Sequence, residues 1–341
     1  MTEQRKNASG ADRPAEPDSS SGPSRAASPG LVAAILRAPG RWLLGAAILV
    51  AVIWWVQQAI GWREALAPWQ TLPAASLLLA ITLLAVSYVV RAVRLLVYFP
   101  GLPLWPTVRL STQHTAANNL LPMRLGEAVF PILMKRFYGY RLRRGAVSLA
   151  WLRFFDLHTV LVVGCLAAWL IGRQPAWLVI AITLLLGLYA GVVLRGRIRR
   201  RFEDGPDNRV RVLVLALMED VPDEPHRLYA LYSLTLLTWL LKFVAFCIVL
   251  RHFVDIAIGQ ALLGVAAGEL SSVLPVHGVA GSGSYEVAVV AGLALVGVPA
   301  GAALAGAVNL HLLLLAVTVI LGGLSFLLPV PAPGDGDRDP A

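Results

Sequence analysis

Charged residues are scarce in this sequence, and their scarcity excludes an ordinary soluble domain. Asp, Glu, Lys and Arg make up 14% of the 341 residues, while hydrophobic residues make up 57% and the mean hydropathy is +0.69. Soluble domains contain roughly 25% charged residues. Several apolar runs exceed the roughly 18 residues that a membrane-crossing helix needs, and the alternation of barrel strands is missing. The sequence therefore predicts an all-α polytopic membrane protein.

Cysteines and the common catalytic or metal-binding motifs are also rare or missing. Cys165 and Cys247 fall in separate apolar segments, where we expect them to pack as small hydrophobic residues. The sequence has no metal-ligand spacing and no disulfide framework. H-E-x-x-H, Walker A and a G-x-G-x-x-G after a strand are absent. We therefore predict no metal, no cofactor and a protein that is not an enzyme.

The net charge of +9 does not indicate nucleic-acid binding. The basic residues lie in short loops between apolar runs, where such residues orient helices in a membrane. Aromatic residues do not alternate with them to form a base-stacking surface. Nucleic acid is therefore not an expected partner.

Six apolar segments are predicted to span the membrane, and two further segments are interrupted in their middle. The predicted spans are 42–60, 72–99, 146–171, 176–194, 228–252 and 300–328. The interrupted segments are 105–135 and 258–298. Residues 1–40 are rich in Ser, Pro, Gly and Ala, so we expect a disordered cytoplasmic arm there, followed by a membrane domain over 41–328 and a disordered tail over 329–341.

The distribution of Lys and Arg predicts the topology. The N-terminal arm together with the adjoining Arg41 has six, the 135–144 loop five and the 195–227 loop eight. The positive-inside rule places these regions, and with them both termini, in the cytoplasm. Segment 105–135 must then enter and leave from the cytoplasmic face, and 258–298 from the external face. We therefore predict two re-entrant, broken-helix hairpins that form an inverted repeat.

The tips of the two predicted hairpins have similar sequences. The first is NNLLPMRLGEAV (118–129) and the second is SSVLPVHGVAGSGSYEVAV (271–289). A helix break in the membrane must be buried in protein or line a wet cavity. Helices that restart near Leu125 and Ser284 would present N–H groups and a partial positive charge. We therefore predict a site for an anion, such as a phosphate headgroup, where the tips meet.

Ionisable residues inside membrane segments are costly and usually functional. The predicted substrate path comprises His114, Asn118, Asn119, Pro122, Arg124, Gly126, Glu127, Arg153, Asp156, Glu269, Ser272, Pro275, His277, Gly281, Gly283, Tyr285, Glu286 and His311. Arg153 and Asp156 stand three residues apart on a helix and are expected to share a face. Structural alternatives stay open: the histidines at 114 and 311 as packing residues, the glutamates at 127 and 286 as helix caps, and the Arg-x-x-Asp pair as a buried ion pair.

Two features are expected at the membrane surface. Arg91 and Arg94 lie near the cytoplasmic end of their span, so we expect them to snorkel. The amphipathic stretch 206–221 is too short to span the membrane and predicts an interfacial helix.

The motifs also carry a family resemblance, over about residues 40–328. NNLLPMRLGEAVFPILMKR, WLRFFDLHTV and SSVLPVHGVAGSGSYEVAVV, in this order, resemble the transmembrane domain of lysylphosphatidylglycerol synthases. The chain departs from the usual P-x-P-G-G-x-G-x-x-E form of the second hairpin, with His277 where a second proline is usual. It also has Asn309 or His311 where the last helix of the family often has Arg.

The resemblance implies a flippase-like protein of the bacterial plasma (inner) membrane, without the aminoacyltransferase domain of the synthases. Its substrate would be a membrane lipid: an anionic or amino-acid-modified phospholipid, a hopanoid or a glycolipid. A homo-oligomer or a lipid-modifying enzyme partner is compatible with it. The alternative is a membrane-embedded enzyme or an accessory subunit, for which AGSGSYE with His311 suggests a Ser–His pair, although Ala280 breaks the G-x-S-G form.

Overall fold

The computed structural model describes residues 39–205, 208–219, 222, 224–272 and 278–330, which form twelve α-helices and no strand. In chain order these are α1 (Pro39–Ala59), α2 (Trp62–Leu66), α3 (Ala74–Tyr98), α4 (Leu104–Leu120), α5 (Val129–Tyr138), α6 (Leu142–Gly172), α7 (Pro175–Glu203), α8 (Arg209–Glu219), α9 (Pro225–Phe253), α10 (Ile258–Ser271), α11 (Ser284–Ala294) and α12 (Ala300–Leu324). Most of the predicted arm (1–38) and tail (331–341) lies outside the described residues, so the domain boundaries stay predictions.

The six predicted spans are confirmed. Six described helices, α1, α3, α6, α7, α9 and α12, are long and apolar enough to cross a membrane. The α7 helix continues past the predicted span end at 194 as far as Glu203. The added turns consist largely of arginine, which is a good helix former, so the helix outlasts its apolar stretch. The predicted stretch 206–221 contains a helix, α8, which packs against α7, while its place at the membrane interface stays a prediction.

The first interrupted segment folds back on itself. Pro122 begins a 3₁₀ turn over Pro122–Ala128, which separates α4 from α5. Proline suits this first position because its missing N–H would be unpaired there in any case. The hydroxyls of Thr107 and Tyr138 lie 3.2 Å apart, which brings the start of α4 to the end of α5. Helix α5 starts at Val129 rather than at the predicted Leu125, because the 3₁₀ turn intervenes.

The second interrupted segment folds back in the same way. The Gln260 side chain near the start of α10 donates from Nε2 to the Val296 carbonyl just beyond α11, at 3.1 Å. A 3₁₀ turn over Val279–Gly281 precedes α11. Helices α10 and α11 pack closely against each other.

The two hairpins enter the helix bundle from opposite ends. Near the start of α6, a Cβ on Gly145 would lie 2.9 Å from Pro131 Cα on α5. At the other end of α6, Ile171 lies beside Gly259 near the start of α10. The two 3₁₀ turns contact each other, and both contact α1. The two hairpins therefore point in opposite directions within the bundle, while their re-entrant character and the membrane faces from which they enter stay predictions.

Candidate functional site

A buried aspartate on α6 collects hydrogen-bond and charge partners from three helices. Asp156 Oδ1 accepts from Arg94 Nη1 at 2.6 Å and from Trp239 Nε1 at 3.0 Å. Its Oδ2 lies 3.5 Å from Arg153 Nη1 and 3.7 Å from Arg91 Nη1. The predicted shared face of Arg153 and Asp156 is therefore confirmed. Such extensive pairing is what a carboxylate at this depth requires, because an unpaired buried charge is strongly destabilising.

The first 3₁₀ turn is joined to this cluster through Arg153. The Arg153 guanidinium contacts both carboxylate oxygens of Glu127, at 2.9 Å to Oε1 and 3.3 Å to Oε2. With its amide nitrogen towards Glu127, Asn118 donates to Oε1 at 3.1 Å and accepts from Arg153 Nη2 at 3.1 Å. Gly126 allows this approach, because a Cβ there would overlap the backbone of Asn118 at the end of α4.

The prediction that Arg91 and Arg94 snorkel is wrong. The Arg94 side chain is 3% exposed, and its Nη1 also donates to Thr235 on α9 at 3.0 Å. The Arg91 side chain is 16% exposed and faces Asp156. Both turn inward because the α6 carboxylate lies within reach between α3 and α9. This cluster therefore holds three arginines against two carboxylates, Glu127 and Asp156, and has one positive charge in excess.

A second ion pair lies nearby, between α9 and α10. Lys242 Nζ donates to Glu269 Oε2 at 2.7 Å, and both side chains are largely buried. The ammonium also lies 5.0 Å from the Trp239 ring centroid and 5.3 Å from that of Phe246, within cation–π range. The other oxygen, Glu269 Oε1, is buried and has no hydrogen-bond partner among the described residues.

These charges line a cavity of about 360 Å³ between α3, α4, α6, α9, α10 and α12. Its charged wall residues are Arg91, Arg153, Asp156, Lys242 and Glu269, and polar and apolar side chains complete the wall. A smaller cavity of about 70 Å³ adjoins the second turn. The amides at 118 and 119, and the lysine and glutamate of the second ion pair, line both cavities, so the two spaces are neighbours.

The second turn is held by Glu286 and His311. Glu286 Oε2 accepts from the Gly283 N–H at 2.8 Å, so the carboxylate caps α11 as the capping alternative predicts. Glu286 Oε1 lies 2.6 Å from His311 Nδ1, and His311 Nε2 lies 2.9 Å from the Ala280 carbonyl. Gly281 and Gly283 have φ of 78° and 87°, which glycine adopts without strain, whereas Ala280 reaches 58° with a Cβ.

The remaining predicted residues are distributed around these two centres. Asn119 donates to Thr318 at 2.9 Å, and Ser272 donates to the Glu269 carbonyl at 2.7 Å. The Tyr285 ring packs on His311 at 4.6 Å between centroids. The buried ring of His114 packs against Phe130 and does not line either cavity. Pro275 and His277, with the side chain of Arg124, lie outside the described residues.

Four residues of the site were missed by the sequence analysis as site residues: Arg91, Arg94, Trp239 and Lys242. Lys242 carried a direct signal, because a lysine in the middle of an apolar span is costly and usually functional. Trp239 stands three residues before it and therefore shares its helix face. The two arginines are spaced in the same way, but their direction depends on how α3 is rotated about its axis.

One family matches the chain. The family model described as Lysylphosphatidylglycerol synthase TM region covers residues 42–322, from α1 into α12, and so includes both turns and both ion-pair centres. Comparison with curated proteins and with solved structures gave no match.

Proposed function

Because the chain belongs to the lysylphosphatidylglycerol synthase TM-region family of membrane proteins, we propose that it moves the headgroup of an anionic phospholipid across the membrane. The observation that carries this proposal is the cavity of about 360 Å³, set among helices of membrane-spanning length and walled by a cluster with an excess of positive charge. Buried positive charge without a full complement of carboxylates is stabilised by an anionic ligand.

The cavity chemistry suits a phosphodiester. Arginine guanidinium groups bind phosphate oxygens through two parallel hydrogen bonds. Arg91 and Arg153 both line the cavity, and within the described part of the chain the ion pair of Arg91 is a long one, 3.7 Å to Asp156. A phosphodiester that displaces this long contact gains a shorter charge-assisted hydrogen bond. The volume lies in the range of about 300–1,000 Å³ that is usual for ligand sites, so a headgroup fits while the acyl chains stay in the hydrocarbon layer.

The inverted hairpins provide a route to both leaflets. Their turns meet beside the cavity, and the hairpins extend from it towards opposite ends of the bundle. In transporters with inverted repeats, rocking of one repeat against the other opens a central site alternately to each side. We propose the same motion here, in the bacterial inner membrane with both termini in the cytoplasm. A homo-oligomer or a lipid-modifying enzyme partner belongs to the same proposal.

Transport is favoured over catalysis by the arrangement at the second turn. The His311 ring contacts Glu286 and the Ala280 carbonyl, and Ser282 Oγ is buried without a hydrogen-bond partner among the described residues. A Ser–His pair for the enzyme alternative is therefore not assembled, since the histidine must contact the serine hydroxyl to activate it.

The test uses the purified full chain in liposomes with a trace of phosphatidylglycerol that is fluorescently labelled on an acyl chain. Chemical quenching of the outer leaflet measures movement between leaflets. We expect Arg153→Ala to slow movement at least tenfold, because it removes a cavity cation. Arg63→Ala, which removes an exposed arginine of α2, is the matched control and should retain the wild-type rate. Equal movement of labelled phosphatidylcholine, or wild-type rates in Arg153→Ala, would contradict the proposal.

A further inference from the structure

The contact between His311 and Glu286 constrains the number of protons at the second turn. The Ala280 carbonyl is only an acceptor, so His311 Nε2, 2.9 Å away, must carry a hydrogen and donate it. Nδ1 therefore faces Glu286 Oε1 at 2.6 Å with one further proton between them, on the ring or on the carboxyl group. In either form the pair is neutral overall. Without that proton, two lone pairs would face each other at this distance, and the contact would open.

The surroundings of the pair favour retention of this proton when a further negative charge approaches. His311 and Glu286 are both nearly fully buried. Among the residues that the structure describes, the titratable and charged groups facing them from the packed elements are Tyr285 on α11, Glu269 on α10 and Lys242 on α9. Lys242 and Glu269 balance each other as an ion pair. Loss of the proton would thus leave the His–Glu pair with an uncompensated negative charge in a buried position.

The pair is also placed to sense the headgroup cavity. His311 and Tyr285 line the 70 Å³ cavity, and this cavity shares Asn118, Lys242 and Glu269 with the larger one. An anion in the larger cavity disfavours a second negative charge close by in a medium of low dielectric constant. Anion binding and proton binding therefore support each other, and this coupling is reciprocal.

We propose that His311 and Glu286 form a proton-binding site through which the protein carries one proton together with each anionic headgroup. This inference rests on the proposed function and adds its energy source and its direction. The proton is exchanged with water, and only N–H and O–H bonds form or break. Release opens the contact between α12 and the second turn, whose Ala280 and Gly283 both depend on the pair for a hydrogen bond. The turn is then free to change shape as the headgroup leaves.

The test imposes a pH difference across liposomes that contain the full chain and labelled phosphatidylglycerol. With one proton per lipid, the labelled lipid should accumulate in the leaflet facing the alkaline side, by about tenfold per pH unit at equilibrium, since a tenfold ratio corresponds to one unit of proton gradient. In Glu286→Gln the amide cannot exchange this proton, so the leaflet ratio should not follow the gradient. Glu203→Gln, which changes an exposed glutamate of α7, should keep the wild-type response.

A second measurement needs no lipid movement. Infrared difference spectra of the purified chain between acidic and alkaline buffer should show bands of the His–Glu pair that disappear in Glu286→Gln and in His311→Asn. If the wild type moves lipid but its leaflet ratio ignores the gradient, the proton inference is wrong and the proposed function stands. If the wild type moves no lipid, the proposed function fails. In that case these infrared bands still support a proton site, and their absence overturns it.

Discussion

At the first turn Glu127 is held by Arg153, and at the second turn Glu286 is held by His311. Both glutamates lie near the start of the returning helix of their hairpin: Glu127 two residues before α5 begins, and Glu286 at the third residue of α11. The partners differ in one property that matters for transport. Arginine keeps its charge at any physiological pH, whereas histidine is the side chain whose ordinary titration lies closest to neutrality.

In the proposed function, this difference gives the two hairpins different roles. The first turn is joined through Glu127 to a cluster of fixed charge on α3 and α6, in which Arg91, Arg94 and Arg153 surround Asp156. The second turn carries a pair whose charge changes when one proton leaves. In the proposed function, binding the anion and responding to it are separate tasks, and the contact between the two 3₁₀ turns brings the residues for both close together.

Removal of Asp156 tests the cluster of fixed charge around it and should give the largest effect on stability. Asp156→Ala leaves Arg94, 3% exposed, without its closest charge partner, so we expect a loss of about 3–5 kcal/mol in the free energy of unfolding. Denaturant titration in detergent micelles measures it. Glu203→Ala, in an exposed pair with Arg199, is the control and should change stability by about 0–1 kcal/mol. A loss under about 1 kcal/mol in Asp156→Ala would mean that Arg94 finds other partners and that the cluster is not fixed.

Glycine replacements should destabilise the two turns for different reasons, overpacking at the first turn and backbone strain at the second. Gly126→Ala places a Cβ against the backbone of Asn118, which cannot move aside, so overpacking should cost about 1–3 kcal/mol. Gly281→Ala meets only the His311 ring, at 3.5 Å from Nε2 and 3.7 Å from Cε1, and its φ of +78° should cost about 1–2 kcal/mol instead. Gly323→Ala in α12 meets nothing and should stabilise by up to about 1 kcal/mol.

The same titration measures all three variants, and the Gly281→Ala penalty should be unaffected when His311 is shortened to Asn. If shortening His311 relieves Gly281→Ala, then side-chain crowding rather than backbone strain closes the second turn, and the two turns are more alike than we infer.

Most of the fold was predictable because a lipid environment leaves few solutions. Every backbone polar group in the hydrocarbon layer needs a partner, so long apolar runs become helices and breaks coincide with Pro and Gly. The six spans and both breaks follow from this rule. The 3₁₀ stretch of Pro122–Ala128 was not predictable, because it depends on how closely Gly126 approaches α4. The extension of α7 to Glu203 was missed because the predicted span followed only the apolar residues, and the arginines beyond residue 194 continue the helix.

For the candidate site, the sequence predicted which residues take part better than it predicted which of them contact each other. Arg153 with Asp156 follows from spacing along one helix, and Glu286 as a cap follows from its position after Gly283. The contacts of Asp156 with Arg94 and Trp239 cross between helices. They depend on helix rotation and on packing, which local spacing does not determine. The His311 contact with Glu286 likewise joins residues 25 apart.

A hydrogen bond between the two halves should give the smallest effect. Asn119, at the end of α4, donates to Thr318 on α12, the helix that also carries His311, and Thr318 contacts the Tyr88 hydroxyl at 3.2 Å. Asn119→Ala should lower the free energy of unfolding by about 1 kcal/mol, as expected for one hydrogen bond. Thr183→Val, which removes only an exposed intrahelical bond, should stay within about 0.5 kcal/mol. Asn119→Ala and Thr318→Val should also be non-additive, because each removes the same bond. If the losses in the free energy of unfolding are additive, the bond between Asn119 and Thr318 does not link α4 to α12. The headgroup cavity and the His–Glu pair would then be coupled only through the wall residues that the two cavities share.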